Sequence, residues 1–194
     1  NKMVDPHFKM LWSESIPHAQ HVDKNQKKTE IEVIAGNLAD KEPQLPPPNS
    51  WALDNNNHVA IWNIEMEAGA NYTLPKSVEG LNRTLYYYKG EHLTINDENI
   101  NSYHAVDVLS NADLELKSGN SSAKILVLQG RPINEPVVQH GPFVMNSQTE
   151  IQQAMHDYQR TQFGGWPWPR HDNVHEKGRG RFSLQDGKLT ERDS

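Results

Sequence analysis

Between residues 30 and 128 the chain is cut into short apolar-rich stretches separated by turn residues, and a new stretch arrives about every ten residues. That rhythm excludes most architectures. Residues 30–35 alternate polar and apolar side chains with Gly36 behind them, as a strand with one wet face does. Residues 58–67 place Ala60, Trp62, Ile64 and Met66 on one face. Residues 81–88, 92–96, 103–109, 113–116 and 124–128 supply further strands. Lys89-Gly90-Glu91 reads as a tight hairpin turn between the third and fourth strands of this series. In the run Tyr86-Tyr87-Tyr88 two rings are expected in the core and one on the surface. The apolar run from Ile125 to Leu128 suits a strand covered on both faces. Short strands at this spacing, with no helical pattern between them, predict an all-β antiparallel sandwich or jelly roll rather than a parallel sheet with crossover helices.

One helix is signalled, near the C-terminal end. Ser147 is an N-cap candidate with Glu150 three residues on, which makes a capping box whose carboxylate faces the positive end of the helix dipole. Ile151, Met155, Tyr158 and Gln162 then recur at helical spacing, so the spacing predicts a helix over 148–162 with one apolar stripe. Gly164 and Gly165 are expected to close it in the left-handed conformation, and Pro167 and Pro169 to prevent a restart. Pro43, Pro46, Pro47 and Pro48 mark an extended connector outside any central strand. Residues 1–28 read as an entry segment, 29–165 as one domain, and 166–194 as an extended tail ordered to about Phe182.

Composition narrows the functional classes. A net charge of −6 argues against general affinity for phosphate backbones, hence against direct nucleic-acid binding. The chain has no cysteine, which removes disulfides, thiolate catalysis and thiolate metal sites and makes the cytoplasm the default compartment. No window is apolar enough for a membrane span.

Gln129-Gly-Arg-Pro132, Glu135-Pro136, the stretch from Gln139 to Asn146, Glu150-Ile-Gln152, Tyr158 and the stretch from Phe163 to Trp168 together resemble the C-terminal half of pirin and the bacterial pirin-like proteins. Asn1-Lys-Met-Val-Asp-Pro6 is similar to the pirin segment that leaves the first domain, and the resemblance extends over nearly the whole chain. It implies a cupin-like jelly roll, a double-stranded β-helix, with one C-terminal helix. It also implies a two-domain protein whose iron-class or other divalent metal sits in an N-terminal cupin domain outside this sequence, held by three His and one Glu. A first residue of Asn rather than Met suits a fragment or a processed chain.

Aligned on the cupin motifs, this half places Pro75, Ser77, Arg83 and Ser122 at the ligand positions. None is a ligand of choice for a divalent cation, so neither a metal-binding nor a catalytic residue is assigned to this chain, and no cofactor is expected within it. Pirin-like proteins include quercetin 2,3-dioxygenases. The resemblance therefore implies that this half supports a metal-dependent dioxygenase acting on a flavonol-like small molecule, with the missing cupin domain as its partner. The alternative is a non-catalytic binding module of a transcriptional co-regulator or redox sensor, with a protein partner.

Three further patterns carry sharper and plainer readings. His171 and His175, followed by Glu176, have the spacing of a helical ligand pair, but the surrounding prolines and glycines argue against a helix and favour a structural or solvated role. Glu65 and Glu67 share a strand face that alternation marks as wet. His140 reads first as a buried, hydrogen-bonded imidazole, and otherwise joins Phe143 and Tyr158 as candidates for packing against the partner domain.

Overall fold

The computed structural model describes residues 4, 5, 7–171, 175–185 and 187–192. The segment Asn1 to Pro6 matched to the pirin inter-domain segment falls largely outside them. The chain divides into two compact units, Asn1–Pro132 and Ile133–Ser194.

The first unit is built on ten antiparallel strands: β1 (His18–Val22), β2 (Lys28–Ala35), β3 (Ala60–Met66), β4 (Asn71–Leu74), β5 (Asn82–Lys89), β6 (Leu93–Ile95), β7 (Glu98–Ile100), β8 (His104–Asp107), β9 (Leu114–Ser118) and β10 (Ala123–Gly130). Six form one sheet in the order β1-β2-β3-β10-β5-β8, and four form another in the order β4-β9-β6-β7. From β3 onward the chain passes back and forth between the sheets, the path of a jelly roll. The alternating apolar residues make this a closed core. Ile31, Ile64, Met66, Leu85, Ile125 and Val127 on the larger sheet and Leu74, Leu93, Leu116 on the smaller one are all essentially inaccessible and belong to a single cluster. Each such side chain contributes about 1.5–3 kcal/mol by leaving water.

Several local expectations change. The Lys89-Gly90-Glu91 segment is not a hairpin: β5 and β6 lie in different sheets, and Gly90, at φ 127°, turns the chain from one to the other. Only Tyr87 of the three tyrosines is buried, because strand alternation puts Tyr86 and Tyr88 together on the outer face, where Tyr88 donates to Asn63 Oδ1 at 2.8 Å. β10 is central, between β3 and β5, yet only one face is covered, and Leu128 is 37% exposed. The entry segment contains β1, an edge strand with a single buried residue, Ala19.

Asp23, in the turn between β1 and β2, joins the two sheets. Its Oδ1 accepts from Asn25 and Lys27 backbone N–H at 2.8 and 2.9 Å, and its Oδ2 accepts from the backbone N–H and the side-chain amide of Asn71 on β4 at 2.9 and 3.1 Å.

The second unit holds the β11 (Val138–His140) and β12 (Phe143–Met145) hairpin, the helix α1 (Gln148–Thr161), and a terminal hairpin of β13 (Arg181–Gln185) and β14 (Lys188–Arg192). Ser147 caps α1 by accepting from Glu150 N–H, and Glu150 answers by accepting from Asn146 N–H at 3.0 Å. The left-handed residue that closes α1 is Gln162 (φ 49°), ahead of the expected glycines; Phe163, Gly164 and Gly165 follow with positive φ as well. Strands β13 and β14 occupy a tail read as extended, and β14 lies beyond its expected ordered limit at Phe182.

Candidate functional site

The cavity that draws attention lies in the first unit, between the inner end of the larger sheet and the loops that follow β2 and β4. It encloses about 480 Å³, within the range of small-molecule sites. Trp62 on β3, Leu38 from the loop after β2, and Pro75 and Ser77 after β4 line it, together with Arg83 on β5 and Gln129 on β10. The loop after β2 can approach because Gly36 has φ +72° and no side chain. A Cβ there would lie 2.4 Å from Val59 O and 2.8 Å from Ala60 Cβ. Gly36 O in turn accepts from Trp62 Nε1–H at 2.9 Å and fixes the indole.

Arg83 is the unusual member. It occupies the inward register of β5 with Leu85 and Tyr87, and is 2% exposed. The β5–β10 pairing sets it directly opposite Gln129. Its Nε–H donates to Gln129 Oε1 at 2.7 Å, its Nη1–H to Pro75 O at 3.0 Å, and Gln129 Nε2–H continues the chain to His58 O at 3.0 Å. Nη2 has no hydrogen-bond partner. Burial pushes the guanidinium below its ordinary pKa, while the Asp113 carboxylate acts in the opposite sense; an arginine so placed remains charged at neutral pH. Lys76 also lines the cavity, and among the described residues no Asp or Glu does.

Three of the four residues aligned with cupin ligand positions are therefore brought together: Pro75, Ser77 and Arg83. Ser122 is not. It precedes β10 at the far end, where its carbonyl approaches Gly90. The residue that meets Arg83 is Gln129, which motif alignment missed. The signal was available, since Gln129 continues the inward series Ala123, Ile125, Val127 as a polar residue. A guanidinium, an amide and a proline carbonyl are a poor donor set for the family's divalent metal, which would be repelled by the cation at its centre. Among the described residues no group of three or more His, Asp or Glu side chains comes together.

The remaining candidates lie elsewhere. Glu65 faces solvent and pairs with Lys124 at 2.7 Å, and Glu67 accepts from Lys28 N–H. In the second unit His140 is exposed on β11, not buried, because it sits at the hairpin turn. Phe143 meets Tyr158 and Phe163 edge-on at centroid separations of 6.0 and 6.4 Å, and Tyr158 meets Phe163 at 5.4 Å. Tyr158 and Phe163 stay 47% and 63% exposed. His171 is exposed, and His175 packs edge-on against Phe182 at 4.7 Å. Residues 172–174, between these two histidines, lie outside the described residues.

Comparison with known proteins agrees with the geometry. Residues 61–164, more than half of the chain, match the family model described as the pirin C-terminal cupin domain. The chain is 34% identical to Pirin-1 of Arabidopsis thaliana, over 84% of this chain and 54% of that protein. It is 32% identical to a pirin-like protein of Solanum lycopersicum, over 82% and 51%. Among solved structures, quercetin 2,3-dioxygenase from Acinetobacter baumannii superposes with a TM-score of 0.66 at 27% identity, covering 84% of this chain and 52% of that one. The chain thus spans about half the length of the curated relatives it matches. No helix among the described residues is long and apolar enough to cross a membrane. On this evidence the chain belongs to the pirin family, matched through its C-terminal cupin domain.

Proposed function

We propose that this chain is the non-catalytic C-terminal half of a two-cupin protein of the quercetin 2,3-dioxygenase type, whose oxygen chemistry runs on a divalent metal in a separate cupin domain. The observation that carries the reading is the cation at the centre of this cupin. Arg83, buried and hydrogen-bonded to Gln129 and Pro75, stands where a ligand would be needed. Kinship with the Acinetobacter baumannii enzyme supports the substrate class, a flavonol. A sequence without cysteine suits a reducing compartment such as the cytoplasm.

In this reading the second unit supplies the surface that meets the metal-bearing domain. Exposed His140 and the aromatic group of Phe143, Tyr158 and Phe163 offer rings that a partner would cover, as aromatic anchors do at interfaces.

Metal analysis of the purified chain, together with quercetin consumption by the chain alone and in the presence of a metal-loaded pirin-type cupin domain, tests the reading. We expect well under one equivalent of metal and no turnover by the chain alone. One tightly held equivalent, or turnover without the second domain, overturns it.

A further inference from the structure

Arg83 presents a charge without an ion-pair partner: the Asp113 carboxylate acts on it only from beyond salt-bridge distance. Its side chain is 2% exposed, and no ion pair among the described residues includes it. Its two hydrogen-bonded nitrogens are matched by neutral oxygens, from an amide and a backbone carbonyl. Nη2 is enclosed and has no partner. Among the described residues, the other buried side-chain polar atoms left without a partner are hydroxyls, of Thr29, Tyr87 and Thr94. A hydroxyl can rotate, but a guanidinium held at Nε and Nη1 has its remaining N–H directions fixed. Burial of a cation is costly when nothing pairs with it, and an anion that reaches it removes that cost.

The cavity that Arg83 lines matches such an anion in sign and in shape. A second cation, Lys76, lines it and, among the described residues, no carboxylate does, although the chain as a whole is acidic. Trp62, Leu38 and Leu53 give it apolar wall, and about 480 Å³ accepts a ring with a short substituent. A planar carboxylate suits a guanidinium edge better than a spherical ion, through parallel charge-assisted hydrogen bonds. The apolar wall favours an organic acid over an inorganic anion.

We propose that this cavity is a binding site for a small organic monocarboxylate, its carboxylate paired with the Arg83 guanidinium at the cavity wall and its apolar body against Trp62 and Leu38. The proposal stands or falls independently of the dioxygenase reading.

Benzoate is the probe and benzamide, nearly isosteric and neutral, its control. Both are titrated into the chain by ligand-observed NMR, with Gln129→Glu and Arg83→Met as variants and thermal melting as the check on folding. Gln129→Glu sets a carboxylate against Arg83 and supplies the counter-charge from within the protein. We expect benzoate to bind at about millimolar concentration or tighter, benzamide at least about tenfold more weakly, and Gln129→Glu to weaken benzoate by about tenfold or more. Equal affinity for the two probes overturns the proposal. So does benzoate affinity undiminished in Gln129→Glu, or no benzoate binding up to about 20 mM. Should Arg83→Met fail to fold, the benzoate–benzamide contrast and Gln129→Glu still decide the matter.

Discussion

Replacing Gly36 by alanine tests whether the loop after β2 closes the cavity by backbone approach. Two costs combine. At φ +72° an L side chain is strained by about 1–2 kcal/mol. The new Cβ would also lie 2.4 Å from Val59 O, 2.8 Å from Ala60 Cβ and 2.9 Å from Ala60 Cα. Two of these atoms are backbone and none is the end of a flexible chain, so the start of β3 must shift, an overpacking cost of about 1–3 kcal/mol. The sum is about 2–5 kcal/mol. Gly80 is the control. Its φ is similar, +81°, but a Cβ there meets nothing within 4 Å, so Gly80→Ala carries only the conformational cost of about 1–2 kcal/mol. The stiffening of the unfolded chain by alanine is common to both and cancels in the comparison. At about 3–4 °C per kcal/mol, Gly36→Ala should melt about 10 °C below the parent chain and Gly80→Ala about 4 °C below. Far-UV circular dichroism melts, with urea unfolding to show an unchanged m-value, make the measurement. If Gly36→Ala is no more destabilising than Gly80→Ala, the close approach does not exist.

Asp23→Asn should change the response of stability to acid. The Asp23 carboxylate is lowered from 3.8 to about 2, chiefly by the Lys27 backbone N–H, with Asn71 and Asn25 adding to it against the effect of burial. A folded-state value below the unfolded one stabilises the fold above about pH 4, and that contribution is lost as the pH falls through 2. The variant should be less stable at neutral pH, and its melting temperature should fall less steeply between pH 4 and 2 than that of the parent. Leu85→Ala, at a fully buried position, should cost about 2–5 kcal/mol in urea unfolding. Ser147→Ala removes the acceptor for Glu150 N–H and should destabilise α1 by about 1 kcal/mol, measured as faster amide exchange in its first turn.

Strand placement was legible because burial on one face leaves an alternating pattern. Ala60, Trp62, Ile64 and Met66 are all buried, and the intervening Ile61, Asn63 and Glu65 are not. The capped start of α1 was legible because Ser147 and Glu150 act within one turn. What the sequence hid depends on pairing at a distance. Nothing local to Gly90 says whether β6 pairs with β5 or leaves for the other sheet. β1 escaped notice because an edge strand needs little apolar content, and only Ala19 of His18–Val22 is buried. The candidate site was half visible. Arg83 stood out by motif alignment, whereas its partner Gln129, 46 residues away, is set by the β5–β10 register alone.

The place of β10 has a consequence for how the protein is made. This strand fills the gap between β3 and β5, yet it is the last of the first unit to leave the ribosome. Until then β3 and β5 each expose an unsatisfied row of amides and carbonyls, and the apolar residues that Ile125 and Val127 will cover stay bare. Nascent chains in that state are sticky, and closure must await a contact distant in sequence. Truncation just before residue 123 should therefore leave a chain that aggregates rather than a smaller folded barrel.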